Sequence, residues 1–301
     1  MTVQHHDGII PTEHDALLPR PLQPPAGDSE PGVPAQDDPF ASGDVVTAEE
    51  HRSFQRGLEQ RHLSMIGIAG AIGTGLFLGL GGAVQTGGPL GALLGYGVIG
   101  LVVCAVQFAL GEVAALLPVT GSYVRHAEFL VDPAWGVALG YNLVYGNILS
   151  IPSEITAICV LFRFCFLSLS SGALVVFWWF VDLTAAGILV SWSSILYNHI
   201  RLRSAMRVQG IPESRLPWYN KHTVYTSRAA LCMCVLILFT SGFSTFIKGH
   251  WDTSVFVSSY LDIPLVLSVF LIWKFWKNTK PIPLHKIPLL EVLDQIDESS
   301  E

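Results

Sequence analysis

The sequence predicts an all-α polytopic membrane protein with about six transmembrane helices, and three observations predict it. Half of its 301 residues are hydrophobic, the mean hydropathy is +0.47 and only 14% of the residues are charged, which is far more apolar than an ordinary soluble domain. The apolar residues gather into runs long enough to cross a bilayer, for which a helix needs about 20 residues. The basic residues sit beside those runs, as the loop charges of a membrane protein do, so the partner expected is a lipid bilayer and not nucleic acid. The net charge of −7 comes from residues 1–50, where ten acidic side chains face one basic one, Arg20; the remaining residues hold 14 acidic and 16 basic side chains.

Residues 1–50 also carry eight of the 18 prolines and show no apolar periodicity, which predicts a disordered acidic cytosolic tail. His5, His6 and His14 lie in it without a folded frame or a fourth ligand, so no metal site is expected. The tail has no apolar core of the kind a cleaved signal needs. Arg52, Arg56 and Arg61 then lead into the first span as an inside anchor.

The first span lies in residues 61–94, RHLSMIGIAGAIGTGLFLGLGGAVQTGGPLGALL, which carry no charge after Arg61 and His62. Gly67, Gly70, Gly73 and Gly75 stand in its first half, and each glycine weakens a helix by roughly 1 kcal/mol relative to alanine. Two readings follow. In one, the helix is broken near Ala71, Ile72, Gly73, Thr74 and Gly75; freed N–H groups and carbonyls at the gap would suit the carboxylate and ammonium of a zwitterion. In the other, Gly75-x-x-x-Gly79, Gly87-x-x-x-Gly91 and Gly91-x-x-x-Gly95 let helices pack closely.

The second span covers residues 90–117 and ends at Pro118. Its Gly95-Tyr96-Gly97-Val98-Ile99-Gly100 has the spacing of a dinucleotide loop, but it follows no strand and lies in lipid, so that function is excluded. Glu112, about a turn and a half from the end, is either a proton-coupling group or the partner of a loop arginine. The third span covers residues 135–166. Asn147, Ser150 and Glu154 follow i, i+3, i+7 and share one face, with Pro152 loosening the helix. A polar face in lipid looks inward, and a carboxylate there that alternates between protonated and paired states suits proton coupling. Its other use is a structural hydrogen bond to a neighbouring span.

Three more spans are expected, at residues 174–198, 229–247 and 255–273, with Asp182 in the first of them. The cysteines, Cys104, Cys159, Cys165, Cys232 and Cys234, fall in or beside apolar runs and read as buried thiols. No catalytic triad, metal-ligand cluster or phosphate loop stands out, so neither enzyme chemistry nor a cofactor or metal is expected. Arg201, Arg203, Arg207, Arg215 and Lys221 follow the fourth span and Lys274, Lys277, Lys280 and Lys286 follow the sixth, which predicts cytosolic termini at both ends. The tail LLEVLDQIDESSE is acidic and partly amphipathic, as a cytosolic contact surface would be.

RHLSMIGIAGAIGTGLFLG, TGGPLGALLGY, LGEVAALLPVTGSYVRHAEFLVDPAWGVALGYN and IPSEITA, in this order over residues 56–165, resemble the amino-terminal third of the fungal amino acid permeases, the yeast amino acid transporter family of the amino acid/polyamine/organocation superfamily. WFVDLTAAGILVSW, HIRLRSAMRVQGI, LILFTSGFSTFIKGHWDTSVFVSSYLDIP and KFWKNTKPIPL resemble its carboxy-terminal end. The resemblance divides the chain into the tail 1–50, spans one to three at 51–166, spans resembling ten to twelve at 167–276 and a cytosolic tail at 277–301, with about six intervening spans missing. It implies part of a five-plus-five inverted-repeat fold and secondary active transport of an amino acid, with protons, across a fungal membrane. The substrate would sit at Gly70, Ala71, Ile72, Gly73, Thr74 and Gly75, with Glu154 and Glu112 as coupling groups. The alternative is a truncated or spliced product that inserts without transporting, or that associates with other permease chains.

Overall fold

The computed structural model describes residues 59–71, 79–165, 172–247 and 251–300. Among them are nine α-helices: α1 (Gln60–Ala71), α2 (Leu80–Leu116), α3 (Ser122–Leu130), α4 (Pro133–Cys165), α5 (Gly172–Gln209), α6 (Thr223–Thr240), α7 (Thr253–Tyr260), α8 (Asp262–Lys277) and α9 (Leu289–Ser300). The described residues are all-α, as expected. Four helices, α2, α4, α5 and α6, are long and apolar enough to cross a membrane, and α7 with α8, bent by 45°, makes a fifth. The expected first span is represented by α1, whose 12 residues are too few to cross alone, and by the start of α2.

Helix α2 is two helices in sequence terms. Gly88 stands between them at φ 70°, ψ 173°, a conformation open to glycine and costly for other residues. Pro89 follows, whose missing N–H costs nothing at a helix start. The second part therefore begins at residue 89, one residue before the expected start of the second span.

Helix α5 is the hub, packing against α2, α3, α4, α6, α7 and α8. Its 38 residues extend about 57 Å at 1.5 Å per residue, longer than the roughly 30 Å of a hydrocarbon core. The fourth span thus does not stop near Asn198; Arg201, Arg203 and Arg207 ride on its last turns and are not loop residues. One core joins α2, α4, α5 and α6 through Val106, Ala109, Leu139, Leu196 and Cys234. A second core caps the basic end of α5, where Leu116, Leu130, Leu202 and Met206 meet Ile287, Leu289 and Leu293.

Two segments expected to be loop or tail are helical because each has an apolar face to bury. Ala127, Phe129 and Leu130 of α3 go inward, and α9 turns Leu289 and Leu293 into the second core. The cysteines correct the sequence reading in the other direction. Cys234 is buried, but Cys104 and Cys232 are exposed, because a helix in lipid is apolar on its outer face as well as its inner one. For the same reason spacing alone did not identify close approaches: a Cβ at Gly91 or Gly95 meets nothing within 4 Å.

Candidate functional site

Asp132 starts α4 by accepting the Ala134 N–H at 2.9 Å and is itself held by Lys274 of α8 at 2.5 Å and by Thr279. From that fixed start, α4 carries Asn147, Ser150 and Glu154 into one cleft, as their spacing predicts. The cleft has a volume of about 580 Å³ and lies between α4 and α5; Thr184, Gly187, Ser191 and Trp192 of α5 face them across it. That volume is within the range of small-molecule sites.

Asn147 and Ser150 of the α4 face bond on their own helix. Asn147 donates to the Leu143 carbonyl at 2.8 Å and Ser150 to that of Asn147 at 2.9 Å, while Thr156 bonds back to Pro152. These bonds tie the donors down locally but do not close the cleft, since Asn147, Ser150 and Glu154 stay exposed. Deeper in, Asn142 bridges the two helices, donating to the Gly187 carbonyl at 2.9 Å and to the Ser191 hydroxyl at 3.2 Å.

Glu112 occupies a separate, closed site. Its carboxylate is fully buried, with Oε1 3.0 Å from His199 Nε2 and 2.5 Å from Arg203 Nε. His199 Nδ1 lies 3.0 Å from the Ser227 hydroxyl, and Arg203 reaches Glu213 at 3.4 Å. His199 thus links Glu112 on one ring nitrogen to Ser227 on the other. Of the two uses set out for Glu112, the geometry displays the ion pair, and the arginine comes from α5 instead of a loop. α2, α5 and α6 are stapled together at this point.

Gly70 and Ala71 close α1, while Ile72, Gly73, Thr74 and Gly75 lie outside the described residues. The structure thus brings Asn147, Ser150 and Glu154 together and keeps Glu112 apart from them. It also shows residues the sequence pattern missed. Asn142 is off the i, i+3, i+7 face. Asp182, already noted in the fourth span, is by contrast hydrogen-bonded to Ser258 of α7. Asp262, at the bend between α7 and α8, is fully buried; its signal in the sequence is that it is the sole acidic residue in 253–273.

The amino acid permease family model matches residues 62–170 and 155–286, two stretches that overlap where α4 gives way to α5. The chain belongs to the amino acid permease family. Among its relatives, cationic amino acid transporter 1 of Schizosaccharomyces pombe is 38% identical over 40% of this chain and 20% of its own length. The lysine-specific permease LysP of Escherichia coli is 35% identical over 63% and 35%, and the general amino-acid permease GAP2 of Candida albicans 38% over 44% and 22%. This permease-family chain therefore spans between a fifth and about a third of the length of those relatives. No solved structure matches it.

Proposed function

We propose that this chain is part of a secondary active transporter of amino acids, a proton symporter, in which α4 and α5 form one wall of the substrate path. We further propose that alone it inserts in the membrane without accumulating substrate. The observation that carries this is the open cleft: a polar face of Asn147, Ser150 and Glu154 that a membrane protein has to turn inward is left uncovered.

An amino acid brings an ammonium and a carboxylate. Glu154 is the proton-carrying group, and the break at Gly70, Ala71, Ile72, Gly73, Thr74 and Gly75 supplies N–H groups and carbonyls to the zwitterion. In the inverted-repeat fold a second discontinuous helix completes such a site, and the resemblance assigns none of the expected spans to it. The family match in two overlapping stretches and the short share of each relative support a missing middle. Glu112 serves as a staple that keeps α2, α5 and α6 in place around the path. Both termini are cytosolic by the basic residues on α5 and after α8, and the destination is the plasma membrane, with retention in the endoplasmic reticulum if the chain is left incomplete.

Uptake of labelled amino acids by a permease-deficient host expressing this chain alone tests the proposal. The expected result is no accumulation above the empty vector; concentrative uptake overturns it. The open cleft also favours a second reading, association with a full-length permease chain, which co-purification of two differently tagged chains tests. In a permease that keeps all its spans, Gly73→Leu is expected to lower substrate affinity and Glu154→Gln to lower net uptake more than exchange.

A further inference from the structure

We propose that Asp262 and Asn142 share a bound proton at the floor of the cleft. Neither oxygen of the Asp262 carboxylate has a hydrogen-bond partner, and the residue is 0% exposed. Asn142, 2% exposed, uses its amide N–H groups on Gly187 and Ser191 and leaves Oδ1 without a donor. Both orphan acceptors lie beside Gly187. A Cβ built on Gly187 would stand 3.0 Å from Asn142 Oδ1 and 3.6 Å from Asp262 Oδ1.

Two acceptors cannot bond each other, and a bare carboxylate in a span is costly. One proton removes both problems: placed on Asp262 it cancels the charge and turns the carboxyl into a donor for Asn142 Oδ1. Turning the Asn142 amide over does not serve instead, because it would set Oδ1 against the Gly187 carbonyl. Among the described residues, the ionisable groups on the packed elements offer no counter-charge. Tyr145 of α4 is the one that interacts electrostatically with Asp262, Asp182 of α5 is held by Ser258, and Lys274 of α8 is engaged by Asp132.

Asn142 and Gly187 line the cleft, so the pair lies against it. Asp262 stands at the 45° bend between α7 and α8, where its neutral form lets the bent pair pack on α4 and α5. The inference concerns protonation alone and stands apart from whether the chain transports.

Infrared difference spectroscopy of the full chain in lipid nanodiscs at about pH 7, far above the ordinary aspartate value near 3.9, tests it. The expected result is a protonated-carboxyl C=O band that shifts in D₂O, survives Glu154→Gln and Asp182→Asn, disappears in Asp262→Asn and moves in Asn142→Leu. A band missing from the parent, or unchanged in Asp262→Asn, overturns the proposal. Should Asp262→Asn fail to fold, Asn142→Leu decides: an unmoved band refutes the shared proton. A band that grows only when sodium is replaced by choline at constant pH also refutes it, since Asp262 would then hold a metal cation.

Discussion

At its basic end, α5 ties three of its long polar side chains to partners. Arg201 bonds the Leu130 and Ile282 carbonyls, Arg203 pairs with Glu112, and Gln209 bonds Leu284 and Ile287 at 2.8 Å each. Toward the middle of the same helix, Thr184, Gly187 and Ser191 face a cleft whose opposite wall is polar and open. What separates the two regions is coverage: Arg201, Arg203 and Gln209 are buried or half-buried where they meet other segments, whereas Asn147, Ser150 and Glu154 stay exposed. The basic end is built from α2, α3, α5 and the C-terminal segment, all present here. The cleft has two walls, α4 and α5, and stays open between them.

The largest test of that contrast is Glu112→Ala, which strands Arg203 and His199 in a buried site. Removing one partner of a buried pair costs about 3–5 kcal/mol, so the folded fraction in a denaturant titration in detergent should fall sharply. Glu154→Ala, in the open region, should stay within about 0.5 kcal/mol of the parent. Equal losses would erase the distinction.

A smaller effect is expected at Gln209→Ala, which leaves two carbonyls at the basic end without donors, at about 1–3 kcal/mol. Limited proteolysis should then cut between residues 277 and 289 faster than in the parent; unchanged cleavage would mean the apolar contacts alone hold that segment.

The third effect is a pH dependence. Burial holds the His126 imidazole in α3 below its ordinary value of 6.5, against the opposing bond from its Nε2 to the Leu117 carbonyl. Its unfolded form takes up a proton first as the pH falls, so stability is full above about 6.5 and declines below it, toward the lowered folded value. Melting temperature against pH should show that decline in the parent and less of it in His126→Gln. The smallest effect is expected for the exposed pair Arg215–Asp294: Asp294→Asn should change stability by less than about 1 kcal/mol.

The architecture was legible because bilayer-length apolar runs are a strong signal, and Asn147, Ser150 and Glu154 were legible because three polar residues on one turn pattern share a face whatever surrounds them. Glu112 was half legible. Its depth was visible, but its partner depended on α5 continuing past Asn198, and helix length beyond the bilayer is set by the core that Leu202 and Met206 find at the basic end. Asp262 and Asn142 were not legible as a pair, because their meeting beside Gly187 depends on the bend between α7 and α8 and on close helix approach. Short helices such as α3 and α9 hid for a related reason: a few buried residues suffice to fold them, too few to stand out against a sequence that is half apolar.

The way α5 is capped also sets an order of events during synthesis. Arg201 and Gln209 reach carbonyls that lie 81, 75 and 78 positions further along the chain. At a translation rate of about 5–20 residues per second, those partners leave the ribosome roughly 4–16 seconds after the helix they complete. For that interval Leu202 and Met206 have the part of their core that Leu116 and Leu130 supply and lack the part that Ile287, Leu289 and Leu293 complete.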